Sequence, residues 1–232
     1  MPFDQDHNAS PFNDVPPVVV IGALVLVAIE IVLELAQQGV IGGAGGVGWR
    51  SEAIGRFSFW APQFDWMMLD SGRWQIGIIQ RLVTYPFIHG GFTHMMFGVV
   101  ILLALGKFVG QVFSGLALVA LWFGSAIAGA LALLLLTDTQ IPLFGAMPPD
   151  YGLVGAFTFL LWRKAKQTGE HPARAFRMIG VLIGLQLMFA LMQGGIGVQV
   201  IAELAGFAAG FLLCFLLAPG AWAAIRARLR NR

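Results

Sequence analysis

The sequence predicts an all-α, polytopic membrane protein, and three observations carry that prediction. The chain of 232 residues is 58% hydrophobic and only 11% charged, with a mean hydropathy of +0.79. It has too few charges to clothe a soluble surface, so lipid must cover much of it. Apolar runs at Val18 to about Leu35, Met95 to Val109, Leu116 to Leu136, Tyr151 to Trp162, Ile179 to Met192 and Val198 to Leu217 give six spans in one domain. The basic residues cluster beside these runs, so the pI near 9.0 reflects topology, and no nucleic-acid partner is expected.

Residues 1–17 contain no Lys or Arg and end in Pro16-Pro17, so they read as a polar tail without the basic start of a signal peptide. The membrane domain is placed at 18–220 and a basic tail at 221–232. The first run is long enough to cross a hydrocarbon core of ~30 Å at ~1.5 Å per residue. Glu30 interrupts it. A carboxyl inside a span costs ~2.5 to 3.5 kcal/mol on insertion scales and defaults to a functional candidate. Glu34 lies one turn further on the same face, where like charges repel. One of the two is expected to be neutral, with Glu34 interfacial and Glu30 the more informative.

The connection 37–92 carries Trp49, Trp60, Trp66 and Trp74, and tryptophan favours the headgroup layer, so this long loop is expected in the interface. The run Tyr151 to Trp162 is only 12 residues, about 18 Å of helix, and must begin partway down the membrane. Thr137 to Asp150, with its proline turns, reads as a loop dipping between helices, which is tolerated only when buried in protein or lining a wet cavity. Arg163, Lys164, Lys166, Arg174 and Arg177 follow the fourth span, and Arg226, Arg228, Arg230 and Arg232 follow the sixth. Both clusters are expected in the cytoplasm, with both termini, in a bacterial inner (plasma) membrane. Cys214 lies in an apolar run and has no second cysteine to pair with.

Three stretches carry chemistry. The first is Arg81-Leu-Val-Thr-Tyr-Pro-Phe-Ile-His89-Gly-Gly-Phe-Thr-His94-Met-Met-Phe-Gly98. It resembles the entry to the second span of the rhomboid intramembrane serine proteases, W-R-x-h-T-x-x-F-x-H-x-x-x-x-H-x-x-x-N, where h is apolar. It matches at Arg81, Thr84, Phe87, His89 and His94, and departs at Gln80 and Gly98. The second, Gly152-Leu153-Val154-Gly155, is similar to the family's G-x-S-G with Val154 in the serine slot. The third, Ala202 to Gly210, is similar to H-x-G-G-x-x-x-G with Glu203 in the histidine slot, Ala205 for the first glycine, and Gly206 and Gly210 kept.

The resemblance implies a six-helix rhomboid-like bundle with a short central fourth helix, starting near Val154 and packing through Gly155 on the Gly206/Gly210 face. It also implies that no catalytic dyad is intact. Valine has no lone pair to attack with, and a Ser–His dyad fails when either member is absent. In the family the second histidine and the asparagine stabilise the oxyanion, so His94 and Gly98 mark that region, and Gly98 is expected to leave space for water or a side chain. His89 reads as structural. Glu203 is expected to bond Tyr151 or His94, with Thr158 near it, in a buried polar cluster. Gln186 and Gln193 read as helix-contact or end groups.

Three functions follow. The first is a non-proteolytic pseudoprotease that binds transmembrane segments of other proteins, as the derlin branch does. The second is an active rhomboid-type serine endopeptidase with non-standard residues, although Ser114 and Ser125 lie outside the motifs. The third is a proton-linked carrier using Glu30, Glu203 and His94, which lacks the paired broken segments such carriers show. Neither cofactor nor metal is expected, since no His or Cys pair has tight ligand spacing.

Overall fold

The computed structural model describes residues 15–193 and 197–219. Most of the polar tail, part of the turn before the last span, and the basic tail with Arg226 to Arg232 lie outside the described residues. Six long helices form the bundle: α1 (Pro17–Gln37), α7 (Phe92–Gly110), α8 (Gly115–Leu136), α9 (Met147–Thr168), α10 (Arg177–Gln193) and α11 (Gln199–Leu217). Five short helices fold the long first loop: α2 (Gly43–Gly46), α3 (Trp49–Phe57), α4 (Ala61–Asp65), α5 (Ile76–Ile79) and α6 (Arg81–Thr84). A π-helical turn at Trp66–Ser71 and a 3-10 turn at Tyr85–Phe87 complete it. α1, α7, α8 and α11 are each long and apolar enough to cross a membrane, and α10 has 17 residues.

Local chemistry sets the helix ends. Proline opens α1 and α9, where the missing N–H costs nothing. The Ser114 hydroxyl accepts from the Ala117 N–H at 3.3 Å and caps α8. Gly169 ends α9 in the left-handed region at φ 75°.

The fourth span corrects the sequence reading in length and start. α9 has 22 residues and begins at Met147, seven residues before Val154. Its first turn is sequence that reads as loop, because the Pro148-Pro149 pair suits a helix start. Its last turns are Arg163 to Thr168, polar residues that continue the helix outward. The Lys166 ammonium lies 4.0 Å from the centre of the Trp162 ring.

The depth argument agrees with the geometry. Pro148 meets Gly129, seven residues before the end of α8, and Gly206, seven residues after the start of α11. At ~1.5 Å per residue the start of α9 therefore lies about 10 Å below its neighbours' ends. Small residues permit this approach. A Cβ on Gly155 would collide with the Phe207 carbonyl, one on Gly206 with the Pro148 carbonyl, and one on Gly210 with the Gly152 carbonyl. The pairing of α9 with α11 through these glycines follows the sequence expectation, and α9 is buried continuously from Pro148 to Ala156.

The first loop is pinned to the bundle. Phe59 and Leu143 exchange backbone bonds of 3.0 and 2.9 Å, and the Thr84 hydroxyl donates to the Phe57 carbonyl at 3.0 Å. Phe59, Phe64, Met67 and Tyr85 form a satellite core with Ala126 and Leu133 of α8. Trp49, Trp66 and Trp74 remain exposed beside Leu69 and Ile76, an apolar surface of the kind a headgroup layer covers.

Candidate functional site

Val154 is 2% exposed and lies in an apolar cluster with Tyr151 and with Ile179 of α10, packed by Leu105 and Phe207. Phe207 is one turn from Glu203, so the two slots named from sequence belong to adjacent, packed helices. The Glu203 carboxylate accepts from the Gln186 side-chain amide of α10, and the Tyr151 phenol is its other polar neighbour. Tyr151 was expected there, and Gln186 is a helix contact of an unexpected kind. His94 and Thr158 were also candidates, and the structure removes both. The Thr158 hydroxyl bonds back to the Val154 carbonyl at 2.8 Å, and His94 belongs to a different cluster.

That second cluster lies where the loop before α7 meets the start of α9. The His94 Nδ1 accepts from the Gly90 N–H at 3.3 Å, and its ring stands edge-on to His89 with centroids 5.1 Å apart. Gly145, at φ 97°, lies flat against the His94 ring, where a Cβ would approach to 2.6 Å. The His89 Nε2 accepts from the Ala146 N–H at 3.3 Å, which supports its structural reading. Burial, then the neighbouring His94 and Arg50, push the His89 pKa down to about 3.

Gly98 does not open space. A Cβ there would stand 3.2 Å from the Ala146 Cβ, 3.4 Å from the Asp150 Oδ2 and 3.6 Å from the His89 Nε2. The expected vacancy is filled by Ala146, His89 and a carboxyl the sequence reading overlooked. Asp150 is fully buried. Its Oδ1 accepts from the Trp122 indole N–H at 3.1 Å, and its Oδ2 has no hydrogen-bond partner among the described residues.

A third cluster resolves Glu30 and Glu34. Arg50 of α3 reaches back to α1 and donates to the Glu30 carboxylate twice, at 2.9 and 3.1 Å, and to Glu34 at 3.1 Å. It also donates to the Gln37 side chain and to the His89 carbonyl, both at 2.9 Å. The two glutamates, expected to repel, share one cation. The signal for Arg50 was Glu30 itself, because a carboxylate in a span requires a partner. Arg81 lies apart from this cluster and donates to the Ser58 carbonyl at 3.3 Å.

A helical bundle whose central helix starts below the membrane surface, seated on glycine faces under a folded first loop, defines a polytopic membrane protein of the intramembrane-protease architecture. Residues 77–220, well over half of the chain, match the family model described as Rhomboid domain. The chain belongs to the rhomboid family. It is also similar to the "Putative rhomboid protease YdcA" of Bacillus subtilis (strain 168), at 24% identity over 136 residues, which cover 59% of this chain and 66% of that relative.

Proposed function

We propose that this rhomboid-family protein performs no rhomboid-type serine proteolysis and instead holds transmembrane helices or unfolded membrane segments of other proteins. The observation that carries the reading is Val154. It fills the serine slot, buried among apolar side chains, with no atom able to attack a carbonyl. Glu203 in the histidine slot is engaged with Gln186. Ser125 of α8 packs against Gly152 and is fully buried, so this serine offers no route to a substrate. The carrier reading gains little from the geometry, since Glu203 bonds Gln186 in a cluster apart from the one that links Glu30 to His94 through Arg50 and His89.

The test is a gel-based cleavage assay of the purified protein with several transmembrane substrates, with Val154→Ser/Glu203→His as comparator. The natural sequence is expected to give no product and no labelling by fluorophosphonates or isocoumarins. A serine adduct in the membrane core that heat denaturation abolishes would overturn the reading.

A further inference from the structure

One flank of α1 meets the rest of the bundle only in part. Val18, Gly22, Val25, Ile29 and Val32 recur at helical spacing along it. They line two apolar cavities lying end to end, of about 240 and 630 Å³, which both touch Val25 and Phe87. The first is floored by Leu102, Trp122 and Leu153. The second is walled by Ala53 and Phe57 of α3 and by Thr84 and Ile88. Val25 and Val32 are 39% and 46% exposed, on a helix apolar enough to span a membrane. The crevice therefore opens to lipid.

Dimensions and charge select the occupant. From Val18 to Leu33 the crevice follows roughly 22 Å of helix. An extended acyl chain can lie along an apolar groove of that length, and a charge at its end separates a lipid from a transmembrane helix. At the loop end, the Arg56 guanidinium lies 5.6 Å from the centre of the Phe57 ring, on the wall of the second cavity. Arg56 is exposed and has no carboxylate within ion-pair distance among the described residues. A cation at the mouth of an apolar slot matches a phosphate joined to an acyl chain.

The geometry points to a phospholipid site: one acyl chain of an anionic phospholipid lies in the α1 crevice, and its phosphate pairs with Arg56. The chain would touch the rings of Phe87 and Trp122, which stand edge-on with centroids 5.4 Å apart. Trp122 is also the donor to buried Asp150, so an occupied crevice braces the polar cluster at the start of α9. This site does not depend on the pseudoprotease reading.

The full-length protein, purified in mild detergent, is examined by native mass spectrometry with added phosphatidylglycerol or with diacylglycerol of the same chains. One phosphatidylglycerol per chain is expected to persist, in preference to diacylglycerol. Ala28→Trp, which fills the second cavity, should lower occupancy more than tenfold, because each displaced CH₂ weakens binding about fourfold. Arg56→Gln should leave diacylglycerol binding unchanged and remove the preference for the phosphate. A benzophenone side chain at Val32 in otherwise natural protein gives a readout independent of the Trp variant's folding, and its adduct should be lipid. Unchanged occupancy in Ala28→Trp, equal retention of the two lipids by the natural sequence, or a protein adduct at Val32 would overturn the site.

Discussion

Arg50 is the side chain whose removal should cost the most. All five guanidinium donors are used, on Glu30, Glu34, Gln37 and the His89 carbonyl, and one interaction set joins α1, the first loop and the entry to α7. The two carboxylates differ sharply, since the Glu30 side chain is 1% exposed and that of Glu34 is 40% exposed. Breaking a buried pair by removing one partner costs about 3–5 kcal/mol, whereas an exposed pair contributes ~0–1 kcal/mol. Arg50→Ala and Glu30→Ala should each fall in the higher range and Glu34→Ala in the lower. At roughly 2–4 °C per kcal/mol for a chain of this size, the first two should lower Tm by about 6–20 °C and the third by no more than ~4 °C. Arg50→Met/Glu30→Met should recover much of the loss, because the buried charge leaves with its partner. Thermal unfolding in detergent followed by tryptophan fluorescence measures the shifts, and limited proteolysis of 37–92 reports whether the loop has been released. Equal effects of Glu30→Ala and Glu34→Ala, or an Arg50→Ala Tm within ~2 °C of the natural protein, would refute the burial argument.

His89 binds a proton more readily unfolded, near pH 6.5, than folded, near pH 3. Its contribution is therefore complete above pH 6.5 and is lost as pH falls through that window, by up to about 1.4 kcal/mol per pH unit; His89→Gln should flatten this slope in pH-dependent unfolding curves. Gly210→Ala should destabilise by at least ~1–3 kcal/mol through collision with the Gly152 carbonyl, while Gly180→Ala, with nothing within 4 Å, should be neutral or stabilising in the same thermal assay. Glu203→Ala should lower Tm more than Glu203→Gln, because alanine strands the Gln186 amide and glutamine keeps a bonding group there; equal shifts would contradict the cluster.

The sequence made the bundle legible because span length and hydropathy are local properties. α1, α7, α8 and α11 begin and end within a few residues of the apolar runs that announce them. The glycine faces were equally visible, since small residues at helical spacing in a span have few other uses. What escaped was contact between distant segments. Arg50 and Glu30 are 20 residues apart with a loop between them, and no periodicity links them. Asp150 follows two prolines and reads as the end of a loop, although it occupies the first turn of α9. Which of Tyr151 and His94 meets Glu203 is not legible for a related reason. A motif fixes which helices meet but not which way a side chain turns, and the His94 ring turns toward His89 and Phe144, away from Glu203.

The departures from the rhomboid pattern are coupled through packing, and this bears on what the substitutions Val154→Ser/Glu203→His can do. On the proposed correspondence, Gly98 stands where the family has an oxyanion-stabilising asparagine, and Asp150 Oδ2 points at it from the start of α9. A carboxyl ionised at this place would only accept hydrogen bonds and oppose the negative charge that develops during acyl transfer, whereas a protonated one could donate to it. The Cβ of an asparagine at 98 would press on the Ala146 Cβ at 3.2 Å and touch Asp150 and His89, so refilling that slot requires the start of α9 to give way slightly. Val154→Ser/Glu203→His returns a nucleophile and a base to a site that still lacks the side-chain donor the family pattern has at position 98. Its cleavage of a transmembrane substrate is expected to be weak. Adding Asp150→Asn keeps an acceptor for the Trp122 indole N–H and puts an uncharged N–H donor beside position 98, so if the carboxyl opposes the intermediate the triple variant should cut faster than the double. One oxyanion-hole donor is worth ~10² to 10³ in kcat in other acyl-transfer enzymes, so a gain of at least about tenfold is expected in a gel-based initial-rate assay. A triple variant that folds, judged by its Tm, and cuts no faster than the double would mean that the Asp150 carboxyl does not oppose the intermediate.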